Sequence, residues 1–201
     1  MPTQTFMNLS DEKKNKILLA AKKEFTRVPL SEASINNIIT DAEIPRGSFY
    51  QYFISKQDLL EYLIEKVDER TTEILRDKLQ EEGNIFDAFI SFYDNIIKAS
   101  KSESDREFYK TFFKNSKPND GMVFGLNKHK MELMNFMLEN TDTSDFKKKE
   151  DLKVVIDMLK AVTKLAIIQT VSTEDYTSSR ENYLKQIDYI KFGVLRKERQ
   201  C

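Results

Sequence analysis

Between residues 10 and 55 the chain carries four helix-start signals in quick succession: Ser10, Ser34, Pro45 and Ser55. No other spacing limits the fold more, because only short helices joined by tight turns fit between them. Ser10 suits an N-cap, with Asp11 and Glu12 in the first turn where the helix dipole favours acids. Ile17, Leu18, Ala21 and Phe25 then fall on one face of a 3.6-residue period, and Pro29 stops that helix. Ser34 caps a second, short helix carrying Ile35, Ile38 and Ile39. After Ala42-Glu43-Ile44, Pro45 stands in the first turn of a third helix that runs to about Phe53. Ser55 caps a fourth from Lys56. The second and third helices, joined by a three- or four-residue turn, predict a helix-turn-helix.

The rest of the chain has few breakers. Only five glycines and four prolines occur in 201 residues, and no strand-like alternation of any length interrupts the helical pattern. Long helices are expected at about 56–81, 85–101, 104–115, 121–140, 149–172 and 178–198. The fold class is therefore all-α. A helix-turn-helix domain is expected over residues 1–55, and a second helical domain over 56–201. Residues 1–56 hold eight Lys/Arg against six Asp/Glu, a net +2 that leaves −3 for the remainder, so any contact with nucleic acid must be a local patch. One cysteine, Cys201, cannot pair within the chain and fits a reducing compartment. With no long apolar run and no secretory signal pattern in "MPTQTFMNLSDEKK", the cytoplasm is the expected location and no membrane is expected as a partner. No nucleophile–base pair, phosphate loop or metal cluster stands out, so neither catalysis nor a cofactor or metal is expected. The only histidine, His129, reads as a surface residue between Lys128 and Lys130.

Residues 17–60 resemble the N-terminal domain of TetR-family transcriptional regulators. The likeness runs without a gap through Phe25, "SINNI" (34–38), "RGSFYQYF" (46–53) and "SKQDLL" (55–60). The family pattern has glycine, threonine, a hydrophobic residue, tyrosine, two variable positions and phenylalanine, with lysine three residues on. Gly47-Ser48-Phe49-Tyr50-Gln51-Tyr52-Phe53 and Lys56 match it here, with serine for the threonine. Pro29, Ile39, Glu43 and Pro45 depart from it. Glu43 replaces a turn glycine; a non-glycine residue in the left-handed region costs about 1 kcal/mol, and an acid near DNA repels phosphate. The resemblance implies a DNA-binding face of Ser34, Arg46, Gly47, Ser48, Tyr50, Gln51, Tyr52 and Lys56. Arg46 can reach a phosphate or a guanine edge, and Gln51 matches an adenine edge. Gly47 allows close backbone approach, and the hydroxyls of Ser48, Tyr50 and Tyr52 suit phosphates or base edges. Lys56 and Ser34 stand at helix starts that suit a phosphate. Phe49 and Phe53 read as core. Lys13, Lys14, Lys16, Lys22 and Lys23 read as a solvated face.

The second half carries aromatic and methionine stripes at helical spacing, which are mostly core. In resembling proteins this region encloses an apolar effector pocket. Phe89, Phe92, Tyr93, Phe108, Phe112, Met134 and Met137 are the candidate lining for a small hydrophobic effector. Val155, Met158, Leu159, Val162, Leu165 and Ala166 follow helical spacing, as do Tyr183, Leu184, Ile187, Ile190 and Val194. Such stripes serve a monomer core equally well; the resemblance assigns them to a homodimer interface. It implies a ligand-responsive regulator, most often a repressor, that binds a palindromic operator in double-stranded DNA. The alternative is a helix-turn-helix protein acting through a protein partner with no effector.

Overall fold

The structure, a computed structural model, describes residues 1–115 and 130–195, apart from the side chains of residues 68, 70, 71, 104, 112, 114, 115 and 130. His129 and Cys201 fall outside the described residues. Ten α-helices and one short 3₁₀ turn are seen among them, with no strand: α1 Gln4–Met7, α2 Asp11–Arg27, α3 Ile35–Asp41, α4 Arg46–Tyr52, α5 Lys56–Glu82, α6 Ile85–Ala99, α7 Glu103–Asn115, α8 Lys130–Asn140, α9 Leu152–Thr173 and α10 Tyr176–Val194. The chain divides into two compact units, Met1–Val67 and Asp68–Cys201. The first therefore extends beyond the expected limit of residue 55. The reason is that Leu59, Tyr62 and Leu63 of α5 are buried in the N-terminal core.

Most helix starts follow the caps in the sequence. The Ser10 hydroxyl accepts from the Lys13 N–H, and the Ser55 hydroxyl accepts from the Asp58 N–H at 3.2 Å. The Asp58 carboxylate accepts from the Ile54 N–H at 3.1 Å, closing a reciprocal cap at the start of α5. Ser34 departs from expectation: its side chain makes no capping bond. Glu24 of α2 takes over, accepting from the Ser34 N–H at 2.7 Å. Pro45 is the N-cap residue of α4 rather than part of its first turn. Glu43 has φ +55°, so the left-handed turn is present without its glycine. Its carboxylate pairs with Lys16 of α2. Lys23 pairs with Asp41 at 2.7 Å, so two of the five lysines read as a solvated face bridge α2 to α3 and its turn.

The first core gathers Phe6, Ile17, Ala21, Phe25, Ile38, Phe49, Phe53, Leu59 and Tyr62. Phe49 and Phe53 are fully buried, as their helical spacing predicts. Phe6 joins them from α1, a helix with no periodic signal of its own. Its ring lies 4.6 Å from Phe53, 5.4 Å from Tyr62 and 6.0 Å from Tyr52.

In the second unit, α9 packs against α6, α7 and α10. Gly83 at φ +64° turns the chain after α5, and the Asn84 side chain caps α6 by accepting from the Phe86 and Asp87 N–H groups. The core holds a polar thread. The Tyr93 and Tyr183 rings stack at 4.4 Å; the Tyr93 hydroxyl meets Thr170 at 2.7 Å, and the Tyr183 hydroxyl meets Thr163 at 2.8 Å. Tyr183 also donates to the Phe89 carbonyl at 3.1 Å. These bonds satisfy hydroxyls that would otherwise be costly to bury. No described helix is long and apolar enough to cross a membrane.

Candidate nucleic-acid interface

The helix α4 is short and two-faced. Steps of about 100° per residue place Arg46, Gly47, Tyr50 and Gln51 on one arc. All four are exposed; Ser48, half-buried, follows beyond Gln51, while Phe49 is buried and Tyr52 half-buried on the opposite side, against the core. Tyr50 is 50% exposed, and its ring meets Phe49 edge-on at 5.3 Å. It therefore leans on the core while presenting half its surface outward. A Cβ added at Gly47 would meet nothing, so the backbone there is open to close approach.

An open groove of ≈ 480 Å³ lies where the starts of α3, α4 and α5 converge. It brings together Ser34, Arg46, Tyr50 and Lys56 of the expected set, with Asn36, Ile54 and Ser55. Its lining includes two cations and no carboxylate. Gly47, Ser48, Gln51 and Tyr52 are not part of that lining. The Lys56 ammonium donates to the carbonyls of Ser31 at 3.0 Å and Ala33 at 2.9 Å. A lysine ammonium has three donors, so a further one remains for a ligand. Arg46 donates through Nη1 to the Asn36 side-chain oxygen, which holds the guanidinium over α3. Two anchored cations beside hydroxyls in an acid-free groove suit the oxygens of a phosphodiester backbone.

Asn36 was invisible in the sequence because its role depends on an arginine ten residues later. So was Glu24, which looks like one more charge on a polar face. Its side chain is 4% exposed. It accepts from Arg27 at 2.7 and 3.0 Å, from the Ser34 N–H, and from the Asn37 amide at 3.2 Å. The Arg27 hydrogen bonds lower its carboxyl most; burial opposes them, Ser34 and Asn37 add to the lowering, and it settles at about 2. Glu24 thereby ties the end of α2 to the start of α3 and fixes one wall of the groove.

In the second unit, Phe89, Phe92, Tyr93, Phe108 and Met137 are buried and Met134 is half-buried. The Phe112 side chain lies outside the described residues. Two open concavities on this unit, one beside Gly83 and Phe146 and one beside Tyr176 and Arg180, are lined by none of the six described candidates. The expected interface residues divide. Val155, Leu159, Ala166, Tyr183, Ile187 and Ile190 are buried within the chain itself. Their face of each helix is already covered by the unit's own core. Val162, Leu184 and Val194 are half-buried, and Met158 and Leu165 are exposed.

A helix-turn-helix that presents a cationic groove, followed by a separate helical unit, defines a two-unit DNA-binding regulator. Residues 17–63 match the family model described as bacterial regulatory proteins of the tetR family, and residues 84–194 match the tetracyclin repressor-like C-terminal domain. The chain belongs to the TetR family of transcriptional regulators. It is 32% identical over 83 residues to the HTH-type transcriptional repressor NemR of Escherichia coli strain K12. That match takes in 39% of this chain and 38% of the relative. The fold is shared with SmeT, the repressor of the Stenotrophomonas maltophilia multidrug efflux pump SmeDEF, at a TM-score of 0.72 and 15% identity over 96% of this chain and 93% of that one. It is shared also with the SmeT–triclosan complex, at a TM-score of 0.70 and 16% identity over 93% of each chain.

Proposed function

We propose that this protein is a cytoplasmic repressor that binds a palindromic operator as a homodimer and is released by a small hydrophobic effector. The observation that carries the reading is the groove that unites Ser34, Arg46, Tyr50 and Lys56 beside the exposed arc of α4. Lys56 and Arg46 hold phosphates on either side of the groove, and Gln51 reads a base edge from the exposed face. Gly47 lets the helix backbone approach, with Ser48 and Tyr52 contacting the sugar–phosphate rails. Two recognition helices about 34–36 Å apart meet successive major grooves on one side of the duplex.

A second copy of the chain pairs through the apolar groups left uncovered on α9 and α10. Val154, Met158 and Leu165 fall in one stripe of α9 and are 59%, 45% and 66% exposed; Tyr189 and Phe192 are exposed on α10. Such apolar groups on adjacent helices suit a symmetric four-helix contact. The effector enters the aromatic and methionine-rich interior of the second unit. The similar fold of the SmeT–triclosan complex supports a ligand of this class. Its binding shifts the population toward dimers whose recognition helices no longer match successive grooves.

The test is enrichment of binding sites from a random duplex library by the wild-type protein, followed by a thermal-shift screen with apolar compounds. The reading predicts a two-fold-symmetric enriched sequence, and compounds that both raise the unfolding midpoint and release that DNA. No enriched sequence would remove the operator; no compound among many doing both would remove the effector.

A further inference from the structure

The recognition helix ends in a way its own sequence does not provide for. With seven residues, α4 leaves its last carbonyls without intrahelical partners, and a helix this short holds its shape only through outside contacts. Those contacts come from the start of the chain. The Thr3 N–H donates to the Tyr52 carbonyl at 2.9 Å. The Thr3 hydroxyl donates to the Gln51 carbonyl and also accepts from the Phe6 N–H at 3.4 Å, capping α1. One side chain thus joins the first turn of α1 to the last turn of α4, across 48 positions of sequence. Phe6, fully buried among Tyr52, Phe53 and Tyr62, fixes the strap from below.

We infer that residues 3–6 are a strap that sets the pitch of the recognition helix, with Thr3 a positioning residue for base readout by Gln51. The inference rests on the DNA-reading role proposed above. The strap grips the carbonyl of exposed Gln51, the residue proposed to read a base edge, and of its neighbour Tyr52. Releasing it frees the end of α4 to tilt or fray while leaving Arg46 and Lys56, at the other end of the site, in place. The strap therefore governs discrimination between sequences more than attraction to DNA in general, since the phosphate contacts carry the latter.

The experiment compares wild type, Thr3→Val and Thr3→Ser on two probes: a duplex enriched by wild type from a random library, and a random-sequence duplex of the same length. The unfolding midpoint of each variant is recorded alongside. Thr3→Val keeps the shape and the backbone bond to Tyr52 but removes the hydroxyl, both the donor to Gln51 and the cap of α1; the loss of one such hydrogen bond corresponds to about a five- to ten-fold weaker affinity. That loss is expected on the enriched duplex alone, with random-duplex affinity and its salt dependence unchanged, and Thr3→Ser restores it. Equal affinities for wild type and Thr3→Val on the enriched duplex would overturn the strap. So would a parallel loss on both probes tracking a lower midpoint, which marks a merely structural role. If wild type enriches no sequence at all, the DNA-reading proposal fails first and the strap falls with it, an outcome distinct from the other two.

Discussion

Glu24 shows how one side chain can hold a functional surface that it does not line. Its carboxyl is lowered from 4.5 to about 2, chiefly by Arg27, so it stabilises the fold fully only above its ordinary value. Protonation on going down through pH 4.5 toward about 2 removes that stabilisation, on the order of 3 kcal/mol. Glu24→Gln should lower wild-type stability near neutral pH by about 1–3 kcal/mol, because Arg27 and the Ser34 N–H lose a charged acceptor. It should also flatten the acid limb of the stability profile between those pH values. Chemical denaturation followed across pH 2–7 checks both, and an unchanged acid limb would show that Glu24 titrates normally. Arg46 belongs to the same scale but has the opposite character. It is exposed and tied to Asn36, so Arg46→Ala should leave the unfolding midpoint within about a degree while weakening a selected duplex about ten-fold or more. Neither residue announces itself equally in sequence: Arg46 opens a motif, while Glu24 is one acid among thirty-three.

At the scale of elements, α2 through α5 were legible because their signals are local. Caps, a proline and an aromatic repeat fall within a few residues of the structure they dictate. The strap helix α1 was not, since four residues show no period and the burial of Phe6 depends on rings supplied by α4 and α5. The start of α3 was misread for a related reason: Ser34 has the chemistry of a cap, yet the carboxylate of Glu24, ten residues earlier, reaches its backbone instead. In the second unit, helical spacing marked α9 as a helix but could not separate its two apolar faces. Val155 and Leu159 lie one position beyond Val154 and Met158, and only packing shows that the first pair is core. The polar thread between α6, α9 and α10 was likewise hidden, because tyrosines at helical spacing read simply as apolar bulk. Removing the Tyr183 hydroxyl should therefore cost more than a surface phenol: Tyr183→Phe removes the hydrogen bonds to Thr163 and to the Phe89 carbonyl. A loss of about 1–2 kcal/mol in denaturant unfolding is expected, and a neutral effect would mean that the thread contributes no net stability.

For the molecule as a whole, the proposed homodimer presents two recognition helices together, which links the state of assembly to the reading of DNA. Placing a charge in the uncovered stripe separates them. Leu165→Glu should give a folded 23.6 kDa monomer in sedimentation velocity, with a helical content equal to that of wild type. Val155→Glu at the adjoining core face should unfold the unit instead, and a dimeric Leu165→Glu would place the interface elsewhere. Under the proposed dimeric reading, the operator has two half-sites about one helical turn apart. The most direct measurement is the base preference at each position of the enriched site, determined for wild type and for Gln51→Ala. If α4 reads the major groove as its exposed arc implies, Gln51→Ala keeps the phosphate-driven salt dependence and the two-fold symmetry but loses preference at one base pair in each half-site. An unchanged preference profile would contradict the assignment of this helix face to sequence recognition.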